Sequence, residues 1–248
     1  MQSRIAALFL FSTAIIVAQD KQLRADLPAV PRYEVKRAQG RITVDGKIDE
    51  AAWSNAPVVE FVFPWANQTG AKQKTRARIL WDDQNLYVGY QADDADVVAH
   101  YTERDDPTYK DDCVEIFINP NPKQLEFYYG LEMNARAVMY DYFYAFPKLL
   151  IKRLNFTNWQ LATFTDGTLN QRGDVDKGWG LEVAIPWENF EELTGKKTPP
   201  AAGTVWTANM NRWDGVEPDR RLSQWSDSGM VRADPHWPAR FGEIVFVK

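Results

Sequence analysis

Cysteine and histidine are the scarcest chemistry in this chain, with one Cys (Cys113) and two His among 248 residues. A lone cysteine has no internal disulfide partner, and its place at the start of an alternating apolar run predicts a buried thiol. One cysteine and two histidines cannot assemble a common zinc ligand set. A Gly-x-Ser-x-Gly elbow, a His-Glu-x-x-His helix and a glycine-rich phosphate loop are also missing, so the usual sequence marks of hydrolases and nucleotide enzymes are not there. Basic charge is short too. Lys and Arg total 29 against 34 Asp and Glu, a net charge of −5. That balance argues against nucleic acid or an anionic membrane as partner, because both select a basic surface.

Long apolar runs are equally few. The one from Ile5 to Val17 follows Arg4 and is too short to span a bilayer comfortably. It reads as an export leader over residues 1–18 with cleavage near Ala18, and an uncleaved anchor is the alternative. Export predicts a secreted or periplasmic protein with no membrane contact once the leader is removed. Residues 19–32 are polar, carry Pro28 and Pro31, and read as a linker. From 33 to 248 there is no second linker and no internal repeat, so one domain is the simplest organisation. Asn67-Gln68-Thr69 and Asn155-Phe156-Thr157 fit the glycosylation sequon, which matters only in a host that glycosylates.

Aromatic residues are abundant: ten Trp, ten Tyr and thirteen Phe. Rings suit pleated surfaces, and the strand signals are frequent. Thr75–Trp81 and Leu86–Ala92 flank a turn at Asp82-Asp83-Gln84-Asn85, with Leu86, Val88, Tyr90 and Ala92 facing the core. Further strands are expected at Val114–Asn119, Gln124–Asn134, Ala137–Tyr144, Gly180–Ile185, Thr204–Trp213 and Glu243–Val247. Helical signal is limited to Pro186–Gly195 and a turn at Asp49–Ser54. The pattern predicts an all-β, antiparallel β-sandwich of jelly-roll or immunoglobulin-like kind with one or two short helices.

The densest chemistry lies in Tyr109-Lys110-Asp111-Asp112-Cys113-Val114-Glu115-Ile116-Phe117-Ile118-Asn119. Alternation puts Val114, Ile116 and Ile118 on one face and Glu115, Phe117 and Asn119 on the other. A ring and a carboxylate so placed suit a sugar, whose C–H face meets the ring while its hydroxyls donate to the carboxylate. Period-two alternation also pairs Asn134 with Arg136, making Arg136 a candidate partner for Glu115.

Together with Asp45-Gly46-Lys47-Ile48-Asp49-Glu50-Ala51-Ala52-Trp53, Gly178-Trp179-Gly180-Leu181-Glu182-Val183-Ala184-Ile185-Pro186-Trp187 and Arg240-Phe241-Gly242-Glu243-Ile244-Val245-Phe246, this stretch resembles the family 9 carbohydrate-binding modules found attached to xylanases. The resemblance runs from about Tyr33 to the C-terminus. It implies two rings clamping a terminal sugar, at Tyr109, where the family usually has tryptophan, and at Trp225. It further implies Glu115 and Arg212 as hydroxyl-binding groups. Tyr142, Tyr144, Trp159 and Trp213 are further rings that such a platform could use, and the sequence does not place them.

The expected function is a secreted, monomeric, non-catalytic binder of mono-, oligo- or polysaccharide of glucan or xylan type. Its site residues would be Tyr109, Glu115, Arg136, Arg212 and Trp225. No cofactor is required, although the resemblance and the aspartate-rich turns around Asp93–Asp96 and Asp105–Asp112 allow structural Ca2+. Two other readings stay open. One is a sandwich that has lost its sugar site and serves protein assembly, with Glu115 and Arg136 as a structural ion pair. The other is a glycan hydrolase, since a pair of carboxylates is all that such an enzyme needs.

Overall fold

Alternation between apolar and polar residues sets the architecture, because each strand must turn one face to a shared core. The computed structural model describes residues 23–147, 149–152, 154–191, 195 and 197–248. The expected export leader lies outside them. The strands in chain order are β1 (Arg32–Arg37), β2 (Val59–Glu60), β3 (Thr75–Trp81), β4 (Asn85–Asp93), β5 (Cys113–Asn119), β6 (Phe127–Asn134) and β7 (Met139–Ala145). They continue with β8 (Leu149–Ile151), β9 (Gln160–Asp166), β10 (Gly178–Pro186), β11 (Val205–Asp214), β12 (Arg221–Gln224) and β13 (Gly242–Phe246).

One layer runs β8-β7-β6-β5-β11-β13-β1 and the other β1-β3-β4-β10-β9, with β12 beside β11 and β2 beside β3. Strand β1 joins the layers. Residues Arg32–Val35 pair with β13 and the last two residues pair with β3, both in parallel. The other pairings between these strands are antiparallel. The result is the β-sandwich that the pattern predicts. Val114, Ile116 and Ile118 share its core with Leu86, Val88, Tyr90 and Ala92, as the alternation requires. Cys113 is a buried free thiol. The turn before β4 is an Asx turn in which Asp82 Oδ1 accepts the N–H groups of Gln84 and Asn85. The expected turn of helix at Asp49–Ser54 is a 3-10 turn at Ala51–Asn55. The expected helix at Pro186–Gly195 begins as a 3-10 turn, Trp187–Phe190, and residues 192–194 lie outside the described part.

Two buried polar knots tie loops to this frame. At the first, Glu182 on the outer side of β10 accepts the N–H groups of Asp45 and Gly46 at 2.9 and 3.0 Å and the Trp53 indole N–H at 2.8 Å. Gly46 has φ +89°, and a Cβ there would stand 2.4 Å from the Thr163 backbone, so only glycine fits. Two segments far apart in sequence, Asp45–Trp53 and Gly178–Trp187, therefore meet at one carboxylate. At the second knot, the fully buried Arg212 donates to Asp94 at 2.7 Å and Asp214 at 3.0 Å, and Arg221 adds an ion pair to Asp214 at 2.9 Å. The expected linker has a docked portion. Leu23 bridges to Met230, and Arg24 is ion-paired with Asp227.

Burial and the charge of Asp94 push the Asp112 carboxyl up to about 8, against the pull of Arg212. Burial likewise pushes Glu182 up to about 7, against its N–H donors. In an unfolded chain both carboxyls ionise at about pH 4. Between that pH and about 8 the folded chain holds protons that the unfolded chain has released, so stability falls as pH rises. The thermal midpoint, followed by circular dichroism, should be lower at pH 8.5 than at pH 5.5. A midpoint that rises over this interval would contradict these assignments.

Candidate functional site

The outer face of the first layer carries the chemistry. In β5, β6, β7 and β11 the residues that turn away from the core fall into register across the sheet. One row reads Asn211–Glu115–Glu132–Tyr140 and the next Asn209–Phe117–Gly130–Tyr142. Over these rows opens a cavity of about 560 Å³, lined by Glu115, Glu132, Tyr140, Tyr142 and Trp213. Its rim is formed by Tyr109, Tyr144, Leu150, Lys152, Arg220 and the segment from Arg232 to His236. A larger groove of about 720 Å³ at Pro120–Lys123 and Pro199–Trp206 has no acidic side chain in its lining. The cavity over the outer face therefore has the stronger recognition chemistry.

Glycine shapes that cavity. Gly130 lies opposite Tyr142, and a Cβ there would come within 2.2 Å of the Tyr142 ring. The ring leans across this gap, so its hydroxyl donates to Glu132 Oε1 at 2.8 Å. On the other wall the Arg220 guanidinium stacks 3.8 Å from the Trp213 ring centre. His236 stacks on Phe117 with ring centres 4.8 Å apart, and its Nδ1 is 2.8 Å from the Tyr128 hydroxyl. At the rim, Lys152 Nζ is 5.9 Å from the Tyr140 ring.

The floor is buried and charged. Glu115 is 1% exposed and Glu132 is 3% exposed. Each has its Oε2 buried without a hydrogen-bond partner among the described residues. Arg220 Nε and Nη2 are in the same state. Burial, and then the charge of Glu132, push the Glu115 carboxyl well above the ordinary range, while Arg220, Asn211 and Trp213 pull it down. Burial pushes Glu132 up to about 7, opposed by the Tyr142 hydroxyl, Arg220 and Lys152. Unsatisfied polar atoms at such depth are costly. A ligand carrying hydroxyl groups would satisfy them.

Of the five residues read from the sequence, the structure brings Tyr109 and Glu115 together at this cavity. The other three lie elsewhere. Trp225 is in the core, edge-on to Tyr33 with ring centres 6.2 Å apart, and it fills the space over Gly242. Arg212 falls on the inward face of β11, because Asn211 and Trp213 take the outward positions beside Glu115 and Cys113. Arg136 is beyond the end of β6, where alternation no longer applies, and its Nε donates to Ala99 O at 2.8 Å. It does not pair with Glu115. Tyr142, Tyr144 and Trp213 do line the cavity, whereas Trp159 packs at the edge of the core beside Arg104. Glu132, Tyr140, Lys152, Arg220, Arg232, Asp234 and His236 escaped the sequence reading. Signals for two of them existed: Tyr140-x-Tyr142-x-Tyr144 has a period of two, and Glu132 shares a face with Tyr128 and Gly130.

Asp94, Asp112 and Asp214 offer carboxylate oxygens within 4.8 Å of one another. Those oxygens already accept N–H groups. Asp94 takes Gln73, Asp96 and Arg212; Asp112 takes Val98 and Gly215; Asp214 takes Gln73, Arg212 and Arg221. The cluster is built around guanidinium groups and is a poor fit to calcium, which would have to displace them.

The model of the carbohydrate family 9 binding domain-like family matches residues 44–248. Endo-1,4-beta-xylanase A of Thermotoga neapolitana is 25% identical over 218 residues, which cover 84% of this chain and 17% of the xylanase. This chain thus spans about a sixth of that relative's length. Among solved structures, a Bacteroides uniformis protein assigned to carbohydrate binding superposes with a TM-score of 0.70 at 18% identity, covering 88% of this chain and 100% of that one. A family 9 carbohydrate-binding module from Caldicellulosiruptor kristjanssonii, in complex with cellotriose, superposes with a TM-score of 0.57 at 20% identity, covering 87% and 93%. At these identities the structural likeness is one of fold.

Two substitutions separate wall from core. Gly130→Ala should displace Tyr142 from Glu132 and cost about 1–3 kcal/mol of stability through overpacking. Trp225→Ala should cost about 3–5 kcal/mol as a core truncation. Urea denaturation measures both, and a Trp225→Ala protein of unchanged stability would contradict the core placement.

Proposed function

The chain belongs to the carbohydrate family 9 binding domain-like family, and on that premise we propose that its outer-face cavity binds a neutral sugar without catalysing its cleavage. One observation carries the reading. Tyrosine and tryptophan rings wall a cavity whose floor holds two buried carboxylates, each with an oxygen that has no partner among the described residues. The rings offer apolar planes to sugar C–H groups, and the carboxylates accept hydroxyl hydrogen bonds. Binding of this kind needs positioning alone. No bond is made or broken.

The ligand is of glucan or xylan type. The cellotriose and glucose complexes of the Caldicellulosiruptor kristjanssonii module support a gluco-configured unit, and the xylanase relatives support a plant polysaccharide as its source. The protein is a monomer exported by its apolar leader, and it acts as an accessory to polysaccharide breakdown. The affinity should lie between micromolar and millimolar, equivalent to about −8 to −4 kcal/mol.

Calorimetric titration with glucose, cellobiose, cellotriose and xylobiose tests this. A saturating heat for at least one of them is expected. Tyr109→Ala, a half-buried rim ring, should weaken binding about 3- to 10-fold, which corresponds to about 0.5–1.5 kcal/mol of ring contact. The absence of heat for every sugar would remove the proposal and favour a sandwich used for protein contacts.

A further inference from the structure

Glu132 is the residue of this site that the expected ring-and-carboxylate pair does not require. It lies directly across from Glu115 in the β5–β6 register, so the two Cβ atoms are about 4.5–5.5 Å apart. Both side chains leave the same face of the sheet, both are buried, and both end at the floor of one cavity in an Oε2 that has no partner among the described residues. Two like charges this close and this dry cannot both persist. We propose that Glu115 and Glu132 hold one proton between them and together select a vicinal diol, one carboxyl donating to a sugar hydroxyl and the other accepting from its neighbour. This rests on the sugar-binding reading of the cavity and sharpens it.

The surroundings decide where the proton sits. The Tyr142 hydroxyl from β7 donates to Glu132, and Lys152 beyond β8 also favours its ionised form. Arg220 faces both carboxylates and offsets one negative charge. Other titratable groups near the pair are Cys113 on β5, Tyr128 and Tyr140 on neighbouring strands, and Tyr90 on β4, whose hydroxyl donates to Glu115 O at 2.9 Å; their ordinary forms are neutral, and one or both carboxylates oppose their ionisation. Arg232, Asp234 and His236 line the rim. The anion therefore rests mainly on Glu132 and the proton mainly on Glu115.

Such a floor is at once donor and acceptor. Neighbouring hydroxyls of a neutral sugar satisfy both Oε2 atoms, one by accepting and one by donating. A sugar lacking one of the two hydroxyls leaves a buried group unpaired, and a uronate carboxylate meets a negative charge. When pH rises far enough to strip the shared proton, the donor is lost and two charges face each other, so affinity falls.

The test has two arms. In ligand-free protein with 13C-labelled glutamate carboxyls, NMR titration should show one Glu carboxyl retaining its proton above pH 7. Assignment through Glu115→Gln and Glu132→Gln should show Glu132→Gln lowering the Glu115 carboxyl by removing the charge beside it, while Glu115→Gln leaves the Glu132 carboxyl raised by burial. In the second arm, calorimetry should find cellobiose bound about 10-fold more tightly one pH unit below the midpoint that NMR gives for the proton-retaining carboxyl than one unit above it. Glu132→Gln, which keeps an acceptor for Tyr142 and supplies a permanent donor, should show no such change between the same two pH values, and circular dichroism of the wild type at the higher pH reports an intact fold. Glu132→Ala should weaken binding at both. Equal wild-type affinity on the two sides of that midpoint, or two carboxyls titrating in the ordinary range, overturns the shared proton and leaves sugar binding standing. Failure of all sugars at all pH values, with the NMR signature present, overturns diol selection through the sugar-binding reading itself.

Discussion

Strand parity in β5 is the constraint on which the rest of the molecule depends. Val114, Ile116 and Ile118 must face the sandwich core, which leaves Glu115 and Phe117 no position except the outer face. Pairing with β11 and β6 then fixes what stands beside Glu115: Asn211 on one side and Glu132 on the other. A slip of one residue would drive a carboxylate among Val88, Tyr90 and Leu181, at a cost no local contact could offset. The apolar core thus also sets the register of the polar site on the far side of the same sheet.

That outer face is unusual in being neither solvated nor apolar. Phe117, Tyr128, Tyr140, Tyr142 and Phe241 form a second aromatic cluster there. It supports the cavity from beneath and removes water from the carboxylates. Their raised proton affinity and their unmade hydrogen bonds have the same origin: polar groups held where only a ligand can complete them. Stability is spent locally on a site ready to bind.

Much of the frame could be read from alternation. Thr75–Trp81, the strand after Asp82, and the pairs built on Val114–Asn119 and Ala137–Tyr144 all have clear apolar periodicity, and their observed bounds differ by few residues. Strands β1, β2, β8, β9 and β12 escaped that reading for physical reasons. Strand β1 offers only Tyr33 and Val35 to the core, β2, β8 and β12 are two to four residues long, and β9 is a half-exposed sheet edge. The site was legible where chemistry and parity coincide, at Glu115 with the adjacent Tyr109. Arg212 and Arg136 are not part of it: strand parity turns Arg212 to the inward face of β11, and Arg136 lies past the end of β6, where alternation stops. Trp225 and Arg220 were beyond sequence reasoning, because loop closure decides which of them reaches the core and which reaches the cavity.

The Glu182 knot divides the labour of the two layers. Its carboxylate gathers Asp45, Gly46 and Trp53, so two segments distant in sequence close one structural contact on the second layer. The cavity lies on the first layer and shares none of those residues. Fastening and binding are therefore separable in this chain: a change at Glu182, Gly46 or Trp53 acts on how loops are held to the second layer, and a change at Glu132 or Arg220 acts on what the first layer can hold.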